Sequence, residues 1–379
     1  MFDFVVAPHS GPGGCDVEVL KALSSEHELT VIASELTVPE GGARSVRHVR
    51  IPTVPHPGLA SFLLYVAQAS IAYRLLRLRG TRFDLVQATD CSRLAADVCY
   101  AHLCHRAFLT EIWPQLRTRP TARTLHSWAN HKARALIEAR LVRHTRVIVV
   151  PSEGLKRDLA RLYPEVAEKV TVIRNTVELA EYDQPHGFDR RDFRQRLQTG
   201  DRHTAFVFVA LGHFERKGLP MLLESLRADG LEDARVWVVG GEPGLVAAYR
   251  TRAKQLGVAD RVAFAGRTED VRPFLWSADA FVAPSHYEAF SLALLEAAAA
   301  GLPLILTRIS GTEELLEDGV NGFEVQRNAA SLSAGLRRLL DLDAASREAM
   351  RSAARNSVEP LRPERFAAAW RALYASLSA

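Results

Sequence analysis

The feature that most constrains the fold is an alternation that runs the length of the chain. Short apolar runs are separated by longer stretches whose apolar residues recur at helical spacing. In the first half Phe2–Ala7, Leu29–Ala33, Phe83–Gln87 and Val147–Val150 read as buried strands. In the second half Ala205–Leu211, Arg235–Val239, Val262–Ala265, Ala280–Ala283 and Pro303–Leu306 read the same way. Between them lie amphipathic segments such as the one carrying Leu155, Leu159, Leu162 and Tyr163. Such alternation belongs to parallel sheets with helices on both faces. With 379 residues, the expectation is two doubly wound α/β domains around separate cores.

Between about Thr176 and Asp201 the apolar runs stop. Glu178, Glu181, Asp183, Pro185, His186 and Gly187 lead there into a charged, helix-like stretch. This places an N-terminal domain at 1–185 and a C-terminal domain at 200–358. Pro360 and Pro363 break the chain, and Phe366, Trp370, Leu373 and Tyr374 then mark one face of a closing helix. That helix, 361–379, is expected to pack back on the first domain. The chain is 47% hydrophobic and 24% charged, the balance of a soluble globular protein. A net charge of +4 is too small to imply nucleic acid at this size. Four cysteines are too few for a disulfide scaffold, and Met1 leads into an apolar run with no basic start or cleavage site. A reducing cytoplasm is the expected address. The stretch Leu59–Tyr73 is apolar, but it contains Gln68 and Ser70 and reads as too short to span a bilayer.

In open parallel sheets, ligands bind at the carboxyl ends of strands, where helix starts offer N–H groups and the positive end of a dipole. Gly11-Pro12-Gly13-Gly14 follows the first strand, and Gly13 and Gly14 would let the backbone approach a phosphate or sugar. A plain strand-to-helix turn explains it equally well, and the spacing is not that of a dinucleotide fingerprint. Leu211-Gly212-His213-Phe214-Glu215-Arg216-Lys217-Gly218 follows the strand at Ala205 and precedes a helix with Pro220 in its first turn. Arg216 offers a planar fork and Lys217 a point charge, the chemistry of a diphosphate clamp. The third motif runs from Pro284 through Glu288, Ala289, Phe290, Ser291 and Leu292 to Glu296, then Ala300-Gly301-Leu302-Pro303. Ser291 is placed to cap a helix, and the free N–H groups at Phe290–Leu292 would face a ligand. Glu288 and Glu296 are acceptors suited to sugar and ribose hydroxyls. Each motif, taken singly, is also a solvated charge or an ordinary turn.

In combination they are more specific. The stretch 211–325 resembles the retaining glycosyltransferases of family 4 (glycosyl transferases group 1), which have the GT-B fold. The likeness rests on Glu288 and Glu296 with seven residues between them, on Arg216-Lys217-Gly218, and on Phe264-Ala265-Gly266-Arg267. It also rests on Glu313-Glu314-Leu315 leading to Asp318-Gly319-Val320-Asn321-Gly322-Phe323. Upstream, Val172–Val177 is similar to the family's interdomain connector, and Ala96–Ala101 to the lipopolysaccharide core glucosyltransferases. The resemblance implies two Rossmann-like domains facing across a cleft, and transfer of a hexose from a nucleoside-diphosphate sugar, UDP-sugar first, to an acceptor hydroxyl with retention. It implies that Glu296 accepts from the ribose and Glu288 lies beside donor-sugar hydroxyls. The backbone of Ala289, Phe290, Ser291 and Leu292 would hold sugar and phosphate, Arg216 and Lys217 would neutralise the diphosphate behind Gly212, and Gly266 and Arg267 would border the base. No metal or other cofactor is implied, because the nucleotide-sugar is a co-substrate. Three departures stand out: His213 and Ala289 where arginine and glycine are frequent, and a connector with Arg174 and Thr176 in place of proline and glycine.

The first domain is less specific. His102 falls where the family places a histidine near the transferred sugar, with His105 and His126 as competitors and a structural histidine as the plain alternative. Cys99, His102, Cys104 and His105 lack a second ligand pair at zinc-finger spacing. From His102 to Arg146 there are nine Lys and Arg against Glu111 and Glu138, with Trp113 and Trp128 among them. This suits a saccharide, small-molecule or lipid-linked acceptor carrying negative charge, or peripheral contact with the inner face of a membrane. A solvated helix face accounts for it equally. A nucleotide-sugar epimerase, a phosphorylase or a non-catalytic binding protein would share the fold.

Overall fold

A computed structural model describes residues 1–8, 10–39, 45–52, 58–116 and 121–378. It divides into two compact units, Met1–Thr176 with Pro363–Ala379, and Val177–Arg362.

In the first unit β1 (Val5–Val6) pairs with β3 (Glu35–Leu36), and β2 (Leu29–Ala33) with β4 (Val46–Arg50). A four-stranded parallel ladder runs β5 (Gln87–Thr89), β6 (Val98–Tyr100), β7 (Val147–Val150) and β8 (Val170–Val172). Phe2 joins these ladders by bridging Ile32 of β2 and Ala88 of β5. Two expected strands are shorter or displaced, for one reason. The Asp3 carboxylate accepts the N–H of Phe4 at 2.6 Å, and Asp97 Oδ2 accepts that of Val86 at 2.9 Å, so both donors are lost to the ladder.

Helix α1 (Gly11–Leu23) packs Val17 and Leu20 against Val6, Val31 and Ala33. Helix α2 (Leu59–Leu78) is 20 residues long, beyond the apolar run that ended at Tyr73. By length and composition it is apolar enough to cross a membrane, which corrects the expectation that it was too short. Helix α3 (Ala122–Arg143) opens on Thr121, whose hydroxyl accepts from Thr124 N–H while the Thr124 side chain returns the bond.

In the second unit β9 (Thr204–Val209), β10 (Ala234–Val239), β11 (Val262–Gly266), β12 (Ala280–Ala283), β13 (Leu304–Thr307) and β14 (Gly322–Val325) form one parallel sheet. The order is β11-β10-β9-β12-β13-β14. Phe206 and Phe208 enter one core cluster and Ala205 and Val207 the other, so β9 is buried on both faces. The chain leaves β9 toward one edge and returns at β12 toward the other, which makes the β9/β12 junction the topological switch point.

Residues 177–200 belong to this second unit, earlier than the boundary expected near 185. Val177 and Leu179 join its core, and the Arg194 guanidinium is buried, donating to Ser277 O at 2.9 Å, Asp279 Oδ2 at 3.0 Å and His203 O at 2.6 Å. The charge that reads as a linker is therefore an anchor. Two further helices, α4 (Leu219–Ser225) and α5 (Leu292–Ala299), follow β9 and β12. The closing helix α6 (Pro363–Ser378) lies with the first unit: Tyr374 donates to Gln87 Oε1 at 2.7 Å and Arg371 to Ala22 O at 2.9 Å.

Candidate functional site

The loop after β9 turns back through His213, whose φ is 54°, to Gly218, whose φ of 82° suits a residue without a side chain. A Cβ on Gly218 would lie 2.0 Å from the Pro284 carbonyl oxygen, so this loop and the one after β12 touch backbone to backbone. Glu215 holds the first loop from behind, accepting from Tyr249 at 2.8 Å and Arg252 at 3.3 Å. Arg216 then joins the loops twice: its carbonyl accepts His286 N–H at 2.8 Å and its guanidinium donates to Tyr287 O at 2.9 Å.

Within this cradle the Lys217 ammonium sits 2.5 Å from Glu288 Oε1, and Arg216 Nη1 lies 3.6 Å from the same oxygen. Burial pushes the Glu288 carboxyl up, but the Lys217 and Arg216 charges and the bonds from Lys217 and Ser285 outweigh it and hold it below its ordinary value. Burial also lowers the lysine, while Glu288 pulls it back up. At the switch point, then, a buried anion is compensated by two cations. A small cavity lined by Lys217, Ser285, Glu288, Ser291 and Thr312 adjoins them.

Ser291 occupies the N-cap position of α5, but its hydroxyl makes no cap bond, contrary to expectation. The first N–H groups of α5 are not taken by that side chain, which suits an anion arriving from outside. Gly311, at φ 81°, presses on the same segment: a Cβ there would meet Phe290 Cδ2 at 2.5 Å and Ala289 O at 2.7 Å. Thr307 donates to Ser285 O at 2.6 Å. Thr307 and Gly311 thus shape the 285–291 loop from the β13 side, a role that no short motif announced.

Glu296 lies one turn further into α5. Burial pushes its carboxyl up to about 7, a bond from the Tyr182 hydroxyl lowers it in part, and Glu181 raises it. The Tyr182 backbone is fixed by Trp276 Nε1, 2.8 Å from its carbonyl. Tyr182 lies in the charged stretch read as a linker, so nothing in the sequence paired it with Glu296. Gly212 has open space where a Cβ would be. Gly266, at φ 72°, ends β11 and accepts Gly240 N–H at 2.7 Å. Arg267 beside it is exposed and pairs with Glu242 at 3.3 Å. These two residues sit two strands from β9, roughly 10 Å across the sheet from the clamp.

Residues 205–342 match the family model of glycosyl transferases group 1, and residues 17–181 that of glycosyltransferase family 4. The chain belongs to the family 4 glycosyltransferases. Its fold is GT-B, and it is a transferase of glycosyl groups. D-inositol 3-phosphate glycosyltransferase of Corynebacterium efficiens is 27% identical over 358 residues, covering 87% of this chain and 83% of the relative. The structure of WaaG, a glycosyltransferase involved in lipopolysaccharide biosynthesis, has a TM-score of 0.73 at 19% identity, covering 97% of each chain. That of HepE from Anabaena in complex with UDP-glucose has a TM-score of 0.70 at 16% identity, covering 99% of this chain and 98% of the other.

In the first unit of this glycosyltransferase the glycines have a structural task. The Gly11–Gly14 segment is the first turn of α1 rather than a turn before it. A Cβ on Gly13 would lie 1.9 Å from Val5 O, so the close approach is to the protein's own strand. Gly14 donates its N–H to Ser10 O at 2.6 Å. His102 follows β6, with its ring 4.1 Å from that of Tyr100 and its N–H donating to Asp90 Oδ1 at 2.6 Å. Its Nε2 is buried and finds no partner among the described residues, and burial lowers its pKa to about 3. The competitor His105 has its Nδ1 3.0 Å from Nδ1 of His131, and His126 packs at Gly58. Asp90, at φ 47°, holds the His102 backbone from the end of β5.

Proposed function

We propose that this chain transfers a hexose from a nucleoside-diphosphate sugar, UDP-sugar first among them, to an acceptor hydroxyl with retention of configuration. The observation that carries this reading is the buried Lys217–Glu288–Arg216 group at the switch point, beside the uncapped start of α5. As the C1–O bond to the diphosphate breaks, negative charge grows on the leaving phosphate. Arg216, Lys217 and the Phe290–Leu292 N–H groups are placed to stabilise it there, so the stabilisation is largest in the transition state. The acceptor oxygen bonds C1 on the face the diphosphate leaves, and its proton passes to the departing phosphate oxygen. Glu288 accepts from donor-sugar hydroxyls and Glu296 from the ribose, with Gly266 and Arg267 toward the base.

Two cations at the diphosphate take the part that a divalent ion plays in other transferases, so the reading calls for no metal and predicts full turnover in a chelator. The acceptor belongs to the first unit, where His102 Nε2, without a partner among the described residues, is a nitrogen for an acceptor hydroxyl. The inositol-phosphate and lipopolysaccharide relatives favour a polar, hydroxyl-rich acceptor with negative charge. Four free, buried cysteines suit a cytoplasmic address. The test is a thermal-shift panel of UDP-, GDP-, ADP- and dTDP-sugars, in which a ligand at about a hundredfold excess over its Kd stabilises by ~2.7 kcal/mol. The anomeric configuration of the product, read by NMR, follows. No shift with any nucleotide-sugar overturns the reading, and an inverted product overturns retention.

A further inference from the structure

The outward side of α2 is as apolar as its inward side. Residues at i, i+3 and i+4 spacing along it, Leu63, Leu64, Ile71, Leu75 and Leu78, are exposed, Leu78 at 83%. A helix apolar all round is ordinarily covered on every side. Among the described residues only the inner side is covered, with Phe62, Tyr65, Val66, Ala69 and Leu76 packed into the first unit. Helix α3 lies alongside, tied to α2 by the Arg134 guanidinium 3.8 Å from the Phe62 ring, and it exposes Leu125, Trp128 and Leu136. Twelve large apolar side chains are exposed among the described residues, and eight of them lie on these two helices, so the patch is a concentration and not scatter.

Among the described residues, the exposed charges that the two helices themselves carry have one sign. Arg74, Arg77 and Arg79 are exposed along and just beyond the end of α2, which contains no acidic residue. Lys132, Arg140 and Arg143 are exposed on α3, and its one acid, Glu138, is buried inside, accepting from His105 N–H at 2.6 Å and Tyr163 at 2.8 Å. Among the described residues, Arg143 alone of these six is neutralised in an ion pair, with Glu165 at 2.7 Å.

We propose that α2 and α3 together form a surface that docks on an anionic lipid bilayer. Leucines, isoleucine and a tryptophan enter the acyl boundary while arginine and lysine heads stay among the phosphates. Docking, rather than spanning, follows from Tyr65: its hydroxyl lies 2.8 Å from the carbonyl oxygens of both Asp3 and Ile32, so α2 is bonded to the sheet and cannot leave it. A second copy of the chain is the poorer occupant, because a two-fold contact would bring like cations together. The inference does not rest on the donor chemistry of the second unit.

The experiment is co-sedimentation of the full chain with phosphatidylcholine vesicles, with and without about one third phosphatidylglycerol, alongside sedimentation velocity without lipid. The chain is expected to pellet with the anionic vesicles, with a blue shift of tryptophan emission that Trp128→Phe removes, and to stay in solution with the neutral ones. Ile71→Glu with Leu75→Glu should weaken binding at least about tenfold without lowering the melting temperature, since both side chains are exposed. Arg74→Ala and Arg77→Ala should weaken it about fivefold each, which corresponds to ~1 kcal/mol per cation near an anionic surface. These arginine variants decide the matter if the glutamate pair disturbs the fold. Absence of pelleting, pelleting that none of the variants weakens, or a lipid-free dimer that Ile71→Glu disperses would each overturn the proposal.

Discussion

Glu288, at the carboxyl end of β12, is buried beside Lys217 and Arg216 and held ionised below its ordinary range. At the strand ends of the first unit Asp3, Asp16 and Asp90 are buried too, but burial prevails: Asp16 is pushed up to about 7 and Asp90 to about 6. The Met1 ammonium near Asp16 and Arg134 near Asp90 offset only part of that cost. The second unit therefore has fixed charges in place before any ligand arrives. The first unit has buried carboxyls whose ionisation is raised toward neutral pH, and Asp16 Oδ1 and His102 Nε2 are buried without a hydrogen-bond partner among the described residues. Charge set in advance suits a diphosphate that becomes more negative during reaction. Polar groups that burial biases toward their uncharged forms suit hydroxyls, which donate and accept without changing charge.

The largest effect that breaks this comparison lies at Lys217. Lys217→Ala should lower kcat by about 10²–10³-fold, the scale on which one preorganised donor acts, and change KM far less. Lys217→Arg should restore part of the rate, because a planar fork does not replace a compact point charge. A melting curve accompanies the kinetics, since Arg216, at 3.6 Å, would be the one cation left of the two beside Glu288. Turnover within a few-fold of wild type would leave the clamp to Arg216 alone, and an equally silent Arg216→Ala would mean the diphosphate is held elsewhere.

Glu296 gives the next effect, and it is pH-dependent. Glu296→Ala should lose roughly 1.5–3 kcal/mol of nucleotide binding for each charged hydrogen bond it makes. An ionised carboxylate accepts ribose hydroxyls more strongly than the protonated acid does, and the Glu296 carboxyl is raised to about 7 in the free protein. Affinity should therefore rise as pH climbs through about 7, and Glu296→Gln should be flat over the same range. Calorimetric titration with UDP at several pH values reads both, and equal slopes would remove Glu296 from the ribose.

The sequence marks these two side chains as candidates, because Arg216-Lys217 and the Glu288/Glu296 pair follow apolar runs and precede helix starts. The sheets were legible for the same reason: runs such as Phe206–Phe208 and Val236–Val238 are apolar on both faces, which only a covered parallel sheet satisfies. What stayed illegible depends on tertiary partners. Arg194 reads as a linker charge until Ser277, Asp279 and His203 are found around it. Tyr182 has no sequence signal because its partner is more than a hundred residues away. The Gly11–Gly14 segment has the composition of a phosphate loop, and the Val5 carbonyl against Gly13 accounts for it instead.

That last contrast sharpens into a pair of glycine substitutions. Gly13→Ala should destabilise the first unit by about 1–3 kcal/mol or more, because its Cβ has no room beside Val5 O. Gly212→Ala should leave the fold intact, since nothing lies within 4 Å of the added atom and its φ is not in the left-handed region. If Gly212 lets a diphosphate approach the backbone, the same substitution raises KM for the donor. Denaturant melts and donor kinetics on the two variants separate a packing glycine from a binding one. An unchanged melt for Gly13→Ala would reopen the ligand reading of the first turn.

The smallest effect concerns the buried carboxyls of the first unit. Asp16 has a folded pKa near 7, above its ordinary value, so it favours the fold while both states are protonated. That contribution is present below about pH 4 and is lost as pH rises toward and through about 7. The Met1 amine runs the other way, because burial lowers it to about 5 and it gains stability as pH rises. The wild-type slope is therefore a difference, and the informative quantity is the gap between wild type and Asp16→Asn. Asparagine copies the protonated carboxyl and still offers an acceptor to Thr89, whose hydroxyl lies 2.6 Å from Asp16 Oδ2. Near pH 4 the two proteins should melt together, and by about pH 8 the variant should melt a few degrees higher. Hydrogen exchange should place that gain at amides of β1, β2 and α1. In the second unit, the corresponding gain should follow Glu296→Gln and not any change at Glu288, whose carboxyl is lowered and loses its contribution only in acid. A gap that does not widen with pH would show that Asp16 is ionised in the fold after all. The contrast between a charged switch point and first-unit carboxyls raised by burial would then fail at its weaker end.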